Sequence, residues 1–597
     1  MGILEKAYRT YDGLAHLVGV IEEGKTPLPP ISHIIANAQI EITIDMSGNF
    51  HTASVTTEET KKTIIPVTES SAGRSSGVAA HALSDNLSYL LPNNEQRYTT
   101  FMEQLQQWTS SEHSHCKAEA VLVYMKKGEL LQNLIDTEIV KVNESGGFLK
   151  EKILGTEYEK CVVRWVVLGG DEKYQDACYK DISLFQAYIS YYNTVLQQNP
   201  VALCVIKGEK LPIATNHPKG IVSASYGAKL LVSSDDNKGY VSYEVSQKAH
   251  NLLRYLIVNY GEFIGEMSFV WWNVENKNLP KLDQFDAFDE DEEDDASPQH
   301  TIKDYKERIR DTFSGYKNEF LVTDDVVIAT FEAATTGRLS LTYYNEFKAN
   351  DFFERIEKWY MSIAFIQGKK VVPKLKEIVR YAYGVDSGKY IEVHNKKILS
   401  EQMKSLLNCL VGGAAIPSNI VRALVVNASA PQRYQPGNYA RVLYTACAVL
   451  RKYYNDKYQK EVYGMGLDLE NKNRSYLFGR LLAICDKVEK STYDFNESRE
   501  TNAVRIQSTF ANRPMTSFRV LENQLAPYYG KLKGGLAVYF KNMITEIFED
   551  IDINDASLNK PLEDIYLLGY YHQRAILNRK KEVTTMKVNE EETDDAE

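Results

Sequence analysis

The sequence predicts an α+β protein, with a mixed α/β sheet domain at the N-terminal end and an all-helical bundle at the C-terminal end. Strand patterns concentrate in the first 370 residues, for example the alternating IEITIDMSGNFHTASVT and the apolar run MSFVWWNV. Beyond about Asp351, segments with helical spacing follow one another, among them YARVLYTACAVLRKYYNDKYQ and RSYLFGRLLAICDKVEKS. At 597 residues the chain exceeds what one hydrophobic core serves, so several domains are expected.

The α/β part is predicted to occupy residues 1–280 and 301–370. It begins with an amphipathic helix from Ile3 to Leu17, and further strands are predicted at KCVVRWVVLGG, VALCVIKG and AKLLVSS. A helix is predicted at SYEVSQKAHNLLRYLIVNYG. After residue 300 come the helix TIKDYKERIRDTFSGYKNEF and the strands VVIATFEAA and GRLSLTYYNEF. The acidic residues 281–300 lack periodicity and are predicted to form a disordered loop.

The helical part is predicted to comprise a helical domain at residues 371–464 and a C-terminal bundle at residues 465–597, with an acidic tail at 589–597. The net charge of -11 is concentrated in two segments, since residues 283–295 carry nine acidic side chains and the tail carries six. Without these fifteen, the chain has 65 acidic and 69 basic residues. The overall acidity therefore does not exclude a nucleic-acid partner.

The sequence lacks the motifs that mark the most familiar enzyme classes. Phosphate-binding, dinucleotide, zinc-protease and nucleophile-elbow motifs are missing, so no catalytic residue and no cofactor is predicted. His113, His115 and Cys116 could each bind a metal, but no second ligand pair lies at the usual spacing, and no metal site is predicted. Seven cysteines without a CxxC pair, and the lack of a signal peptide or a long apolar run, predict a cytoplasmic protein.

Two glycine-containing loops have the composition of nucleic-acid contacts. In SAGRSSGVAAHALSDNLSYLL, a loop precedes a helix predicted to start near Ser84 or Asp85, and free N–H groups there suit phosphate. Its side chains able to reach groove edges are Arg74, Ser75, Ser76 and His81. A helix-capping loop explains the pattern equally well. In FEAATTGRLSLTYYNEF, Thr335, Thr336 and Arg338 surround a glycine turn, and a plain hairpin with an exposed arginine is the alternative.

The C-terminal stretch YLLGYYHQRAILNRKKE, residues 566–582, combines an apolar stripe with a basic face. Read as a helix, it places Arg574, Asn578 and Lys581 on one side at near-helical spacing. A catalytic site, a nucleic-acid contact and a packed helix with a solvated basic face are all compatible with these residues.

Several stretches together resemble one family, the large subunit of the subtype I-C CRISPR surveillance complex, Cascade. They run in shared order from near the start to residue 582: RSSGVAAHALSDNLSYLL, HPKGIVSASYGAKLLVSSD, VSYEVSQKAHNLLRYLIVNYG, TTGRLSLTYYNEF, EVYGMGLDLENKNRSYLFGRLLAICDKVE, RETNAVRIQSTFANRP and YLLGYYHQRAILNRKKE. The resemblance implies a non-catalytic subunit. Such a subunit reads the protospacer-adjacent motif in duplex DNA, helps to open the duplex and holds the displaced strand, while guide RNA pairs with the target.

The resemblance also implies partners. These are the guide-RNA-bound backbone and crRNA-processing subunits, double-stranded target DNA and a helicase-nuclease that does the cutting. The C-terminal bundle resembles the small subunit of other Cascades, and in the family this part can also be made from an internal start, for which Met465 is the candidate here. Two alternatives remain: a nucleic-acid-processing enzyme, such as a metal-dependent nuclease, whose carboxylates converge only in three dimensions, and a purely structural scaffold.

The resemblance implies DNA-binding roles for the candidate residues of the two loops and the C-terminal stretch. The loop from Arg74 to His81 would meet duplex DNA with polar side chains and backbone near Gly77, although relatives often have Pro-Asn where this chain has Ala80-His81. Thr336 and Arg338 are a second group for the same surface. The candidate backbone contacts are Arg574, Arg579, Lys580 and Lys581, with Tyr570 and Tyr571 expected in the core.

Overall fold

The computed structural model describes residues 2–74, 77–144, 146–170, 175–222, 227–231, 239–275, 302–365, 372–494 and 499–578. Strands lie mainly in the N-terminal part and helices dominate the C-terminal part, which confirms the predicted α+β class. The chain forms two compact units, unit 1 (Met1–Pro280 and Glu319–Asp351) and unit 2 (Lys281–Asn318 and Phe352–Glu597). The predicted acidic loop 281–300 and tail 589–597 lie outside the described residues.

The first sheet of unit 1 is built around one long strand, β1 (His33–Asp45). β1 pairs antiparallel with β2 (Phe50–Val55) and β3 (Lys62–Pro66), and parallel with β6 (Val162–Leu168). Ile40, Ile42 and Ile44 alternate along β1 and are fully buried, as the period of two requires. The hairpin predicted at IEITIDMSGNFHTASVT is confirmed.

Helices and two small ladders accompany the strands of this sheet along the chain. The helices are α2 (Glu69–Ala72), α3 (Leu87–Leu90), α4 (Glu95–Thr109), α5 (Cys116–Lys127), α6 (Leu130–Asp136) and α7 (Ile182–Leu196). The ladders pair β4 (Lys152–Ile153) with β5 (Thr156–Glu157), and β7 (Val201–Leu203) with β8 (Lys210–Pro212). α3 is a single turn, shorter than the helix predicted from Ser84 or Asp85.

The second sheet of unit 1 is antiparallel, in the order β12-β11-β10-β9. Its strands are β9 (Glu262–Ile264), β10 (Met267–Asn273), β11 (Asp325–Thr335) and β12 (Arg338–Lys348). Two helices, α1 (Gly2–Gly13) and α8 (Tyr243–Tyr260), share its apolar core. The predicted strands VVIATFEAA, GRLSLTYYNEF and MSFVWWNV are confirmed. The predicted strand at AKLLVSS is wrong for residues 228–231, where Lys229 makes only single bridges with Lys219 and Arg338.

Among its described residues, unit 2 is helical apart from one two-residue ladder, β13 (Val385–Asp386) with β14 (Ile391–Glu392). It takes in most of α9 (Ile302–Glu319) and of α10 (Ala349–Ile363). The remaining helices are α11 (Leu375–Tyr383), α12 (Lys396–Gly412), α13 (Ser418–Ala428), α14 (Pro436–Tyr458), α15 (Arg474–Lys490), α16 (Asn502–Arg505), α17 (Gln507–Asn512), α18 (Pro514–Tyr529), α19 (Leu536–Glu549) and α20 (Tyr566–Asn578).

The core of unit 2 is centred on α15, which is buried along nearly its whole length. α20 packs against it at two glycines, Gly479 and Gly569, which let the two backbones come together. α16, α18 and α19 also lie against α15. No helix in the described part of the chain combines the length and apolar character that crossing a membrane requires.

Candidate nucleic-acid interface

The loop after α2 is organised by an ion pair between Arg74 and Asp85. The Arg74 guanidinium donates to both carboxylate oxygens, at 2.7 Å for the Nη1 to Oδ2 bond, and to the carbonyl oxygen of Ala79 at 2.7 Å. It also lies 4.2 Å from the centre of the Tyr89 ring. Burial opposes the charge of Arg74, but the Asp85 carboxylate outweighs burial, so the pKa of Arg74 is raised. Arg74 is therefore held by the protein itself.

Asp85 also explains why the predicted helix is only one turn long. Its buried carboxylate accepts hydrogen bonds from the backbone N–H groups of His81 at 2.9 Å and of Asn86 at 2.7 Å. These bonds hold the residues before α3 in a loop instead of a helical turn.

His81 lies inside this loop. Its side chain is buried, with Nδ1 3.0 Å from the Ser71 hydroxyl. Burial lowers the pKa of His81 to about 4, so the imidazole is neutral at pH 7. The predicted contact of His81 with DNA remains a prediction, and its packing against Ser71 gives the side chain a structural role.

Of the residues predicted to contact DNA from this loop, the structure describes Arg74, Gly77 and His81, and Gly77 is the exposed one. Its φ of +91° lies in the left-handed region, and a Cβ built on it would meet no atom within 4 Å. The backbone at Gly77 is thus open to a partner at close range. Ser75 and Ser76 lie outside the described residues.

The second predicted group is at the tip of the β11–β12 hairpin. Thr335 pairs with Arg338 across the turn, and Thr336, Gly337 and Arg338 are all exposed. In the described part of the chain Arg338 forms no ion pair with a carboxylate, so its charge is available to an anion.

A chain of contacts joins α2, the helix just before the first predicted group, to the hairpin tip that carries the second, through residues that the sequence interpretation did not single out. Glu69 of α2 accepts from the backbone N–H of Asn216 at 2.9 Å, and the Asn216 side chain accepts from the Lys229 ammonium group. The Lys229 N–H in turn donates to the Gly337 carbonyl at 3.1 Å, and the Leu339 N–H donates to the Lys229 carbonyl at 2.9 Å. We call residues 69–74, 77–81, 215–219, 227–231 and 335–339 the loop cluster.

The loop cluster concentrates positive charge. Lys219 and Lys229 lie opposite each other in a backbone bridge, and Lys229 bridges Arg338 on its other side. Burial, followed by the nearby charge of Lys219, lowers the pKa of Lys229. A neighbouring phosphate would relieve the repulsion between these cations, so the arrangement favours a polyanionic partner.

The predicted C-terminal backbone contacts have a different environment. Arg574 lies with Nη1 3.4 Å from the Tyr570 hydroxyl, which donates to Asp486 at 3.1 Å, and the pKa of Arg574 is raised first by Tyr570. Tyr570 and Tyr571 are buried, as expected. Arg574 thus belongs to a side-chain network within unit 2, and its contact with phosphate stays a prediction. Arg579, Lys580 and Lys581 lie outside the described residues.

The metal candidate HSHC is used in helix capping. His115 is the residue before α5, where Nδ1 accepts from the Lys117 N–H at 3.3 Å and Nε2 lies 3.1 Å from the Ser183 hydroxyl. Among the described residues no group of three His, Cys, Asp or Glu side chains is placed to hold a metal ion.

A comparison with protein-family models finds a match to the model described as CRISPR-associated protein (Cas_Csd1), over residues 8–577. That range is nearly the whole chain. The chain belongs to the Cas_Csd1 family. Among curated proteins nothing matches. Membership supports the coarser part of the predicted function, a subunit of a Cascade-type CRISPR complex.

In this Cas_Csd1 chain, one feature of the sequence could have identified the residues that link α2 to the hairpin tip. Asn216, Lys219 and Lys229 lie in or next to HPKGIVSASYGAK, a stretch that carried the family resemblance but was given no role. Two lysines that flank glycines in one such stretch indicate a basic loop. Only the fold places this loop between α2 and the hairpin tip, more than one hundred residues away in sequence.

Proposed function

We propose that this chain is the large subunit of a subtype I-C Cascade complex and that the loop cluster reads the protospacer-adjacent motif in duplex DNA. Exposed backbone at Gly77 and side chains at Thr336 and Arg338 would reach the groove, while Lys219 and Lys229 would neutralise phosphates. The observation that carries the proposal is the contact chain from Glu69 to Gly337, because it ties α2, which the Arg74 loop follows, to the hairpin tip in a Cas_Csd1 family member.

The later steps of target binding follow from this role in motif recognition. Binding of the motif would promote local opening of the duplex, guide RNA would pair with the target strand, and the chain would hold the displaced strand and support recruitment of the helicase-nuclease in the cytoplasm. Its partners would be the guide-RNA-bound backbone and crRNA-processing subunits. A second product that starts at Met465 would supply small subunits.

The test uses the complex assembled with guide RNA. Duplexes that carry the target and a randomised flank are bound, recovered and sequenced, and one short flanking motif should be enriched. In complexes with Arg338→Ala or Lys229→Ala, affinity for the motif-bearing duplex should fall about tenfold, the scale of one lost base or phosphate contact, while a pre-opened target binds normally. The control variant K126A/K152A removes two exposed lysines elsewhere in unit 1. Uniform recovery of all flanks would refute motif reading.

We also propose that the chain does not itself cut DNA. The alternative, a metal-dependent nuclease, makes a direct prediction, namely that the purified complex cleaves target DNA with Mg²⁺ and without an added helicase-nuclease. Persistence of intact DNA under these conditions, followed by cleavage once the helicase-nuclease is added, is the result expected for a non-catalytic subunit.

A further inference from the structure

One end of the helical bundle in unit 2 carries four exposed lysines that form no ion pair with a carboxylate of the described residues. One is the last residue of α15, two lie in the turn between α18 and α19, and one lies in the first half of α19. Their charges face solvent without compensation from that part of the chain. We call them the lysine cluster, which consists of Lys490, Lys531, Lys533 and Lys541.

Contacts between the helices place these lysines at the same end of the bundle. Burial and the nearby Cys485 of α15 raise the pKa of Tyr529, the last residue of α18, and Lys541 lies 5.0 Å from the centre of the Tyr529 ring. From there α19 runs back along α15, because Asp550, which follows α19, pairs with Lys472, just before α15, at 2.5 Å. The turn between α18 and α19 therefore lies beside the last turns of α15.

α20 ends at this end of the bundle as well. It runs parallel to α15, since the Gln573 side chain accepts from Arg480 Nε at 3.0 Å and, further along both helices, the Asn578 side chain accepts from the Lys487 ammonium group at 2.8 Å. Lys487 lies one helical turn before Lys490. The chain that continues from Asn578 therefore starts next to the lysine cluster.

The acidic tail, residues 589–597, follows α20 after a short stretch. It has six acidic side chains and no basic one. The eleven residues between Asn578 and Glu590 span up to about 40 Å when extended. Packed helices lie about 8–10 Å apart, so this length is enough for the tail to reach every lysine of the cluster.

The tail matches the lysine cluster both in charge and in attachment. Exposed ion pairs are individually weak and are screened by salt, so a separate acidic protein would gain little from four solvated lysines. A segment of the same chain is held near the cluster at an effective concentration on the order of mM. Covalent attachment therefore favours the tail over an external acidic partner.

We propose that the acidic tail docks on the lysine cluster and masks it from other polyanions. The six tail carboxylates would pair with the four ammonium groups. Because such pairs exchange readily, a polyanion that binds more tightly displaces the tail, and one that binds weakly does not. The mask thus suppresses weak, unspecific binding. It is independent of motif reading, which is proposed for loops of unit 1.

Cross-linking of the full-length chain tests the contact itself. A carbodiimide joins a carboxylate to an amine as an amide with loss of water, so tail peptides should be recovered attached to Lys531, Lys533 or Lys541. These links should disappear at a salt concentration of about 1 M, where the screening length falls to about 3 Å.

The same experiment on an equal mixture of ¹⁴N-labelled and ¹⁵N-labelled protein separates links within one chain from links between copies. Links within one chain are expected. Links found only between copies, links of the tail only to Lys580 and Lys581 beside it, or no links at low salt would each overturn the proposal.

Masking is tested with inorganic polyphosphate as the polyanion. Replacement of all six tail carboxylates by the amides Gln or Asn keeps the length of the tail and removes its charge. This variant should bind polyphosphate about tenfold more tightly than the parent protein at low salt, because several exposed ion pairs no longer compete. At a salt concentration of about 0.5 M the two proteins should bind equally.

Two lysine backgrounds distinguish docking from a general effect of charge. In K531A/K533A/K541A, neutralisation of the tail should no longer change the affinity for polyphosphate, because the two changes remove the same contact. The control K126A/K150A/K152A removes three exposed lysines of unit 1 and should keep the full tenfold gain. An equal gain in both backgrounds would show that the tail acts only through net charge and would overturn the proposal.

Discussion

Gly479 of α15 lies against Gly569 of α20 where the two helix backbones are closest. A Cβ at Gly479 would lie 2.0 Å from the Tyr566 carbonyl oxygen, and one at Gly569 would lie 2.1 Å from that of Tyr476. Because both obstacles are backbone atoms, neither can rotate away. The crossing of α15 and α20 therefore requires glycine on both helices.

Gly479→Ala and Gly569→Ala should each destabilise the protein by about 3 kcal/mol or more, since the helices must separate to admit a methyl group. Urea unfolding followed by circular dichroism measures this. Gly437 is the matched control, because it is exposed on α14 and a Cβ there meets nothing within 4 Å. Gly437→Ala should be neutral or slightly stabilising. Equal stability of all three variants would show that the crossing tolerates a wider separation.

Substitutions in the loop at Arg74 should distinguish residues that stabilise the fold from residues that contact DNA. Arg74→Ala leaves the carboxylate of Asp85 buried without its ion pair, a change that costs about 3 kcal/mol, so thermal stability and motif binding should fall together. S75A/S76A should weaken binding to motif-bearing duplex by a few fold to a hundredfold without changing thermal stability, if these hydroxyls touch DNA. A pre-opened target is the control substrate. Equal loss on both substrates would mark the whole loop as structural.

The buried histidines should make the stability of the fold depend on pH. Burial lowers the pKa of His81 and His250 to about 4, and burial with the charge of His250 lowers that of His217 to about 3, against an ordinary value of 6.5. Each neutral ring stabilises the fold fully above pH 6.5, and that contribution is lost as pH falls from 6.5 toward 4, by up to about 3 kcal/mol per histidine.

The free energy of unfolding should therefore decrease measurably between pH 6.5 and 5, before most carboxylates titrate. His217→Asn removes one titrating ring next to Ser246 and should make this decrease less steep. A parallel pH profile in the variant would show that His217 is not the source of the effect.

Deletion of Asp283 to Asp295 should leave folding intact. The segment lies outside the described residues, and its nine acidic side chains without a basic one give it no apolar pattern to bury. Differential scanning calorimetry of the deletion variant should show melting within a few degrees of the parent protein. A fall of many degrees would mean that the segment contributes to a core.

The proposed internal start at Met465 can be tested in the intact gene. Met465→Leu should abolish a product of residues 465–597 in mass spectra of the complex, while Met515→Leu, at an equally half-exposed methionine, should not. Absence of the short product from the parent complex would remove the internal start.

The same fragment, made alone, should associate with itself or bind a hydrophobic dye. It lacks three groups that contact α20 in the full chain: Cys447, whose thiol lies 3.5 Å from the Leu567 carbonyl, Ser429, which bonds to Tyr566, and Phe365, whose ring packs on His572. A monomeric fragment that melts cooperatively and leaves the dye unbound would contradict this expectation.

Local patterns predicted much of the fold. MSFVWWNV and its two partner strands formed a sheet, because a run of apolar β-formers can be buried in few other ways. AKLLVSS has a similar composition but did not form a strand in its described part, since Lys229 lies between the Lys219 loop and the hairpin tip and pairs for one residue only. Such a position depends on tertiary contacts that a single segment does not encode.

The candidate site was less predictable for the same reason. The local run NRKK drew attention to the end of α20, whereas Lys219 and Lys229 of the loop cluster stand apart in HPKGIVSASYGAK. The fold, not the local sequence, brings Lys229 into a bridge with Arg338 at the hairpin tip. Arg74 illustrates the converse case, because its sequence context suggests a DNA contact while its guanidinium bonds to Asp85.

Unit 1 is built from two separate segments of the chain, and this affects its synthesis on the ribosome. β10, in which every residue is buried, pairs with β11, but β11 begins at Asp325, more than fifty residues after β10 ends. Until that segment leaves the exit tunnel, the nascent chain presents β10 with one unpaired edge and an apolar surface. Such an edge readily pairs with other chains. Messages truncated between these strands should therefore yield aggregates, and slow translation before residue 348 should increase the demand for chaperones.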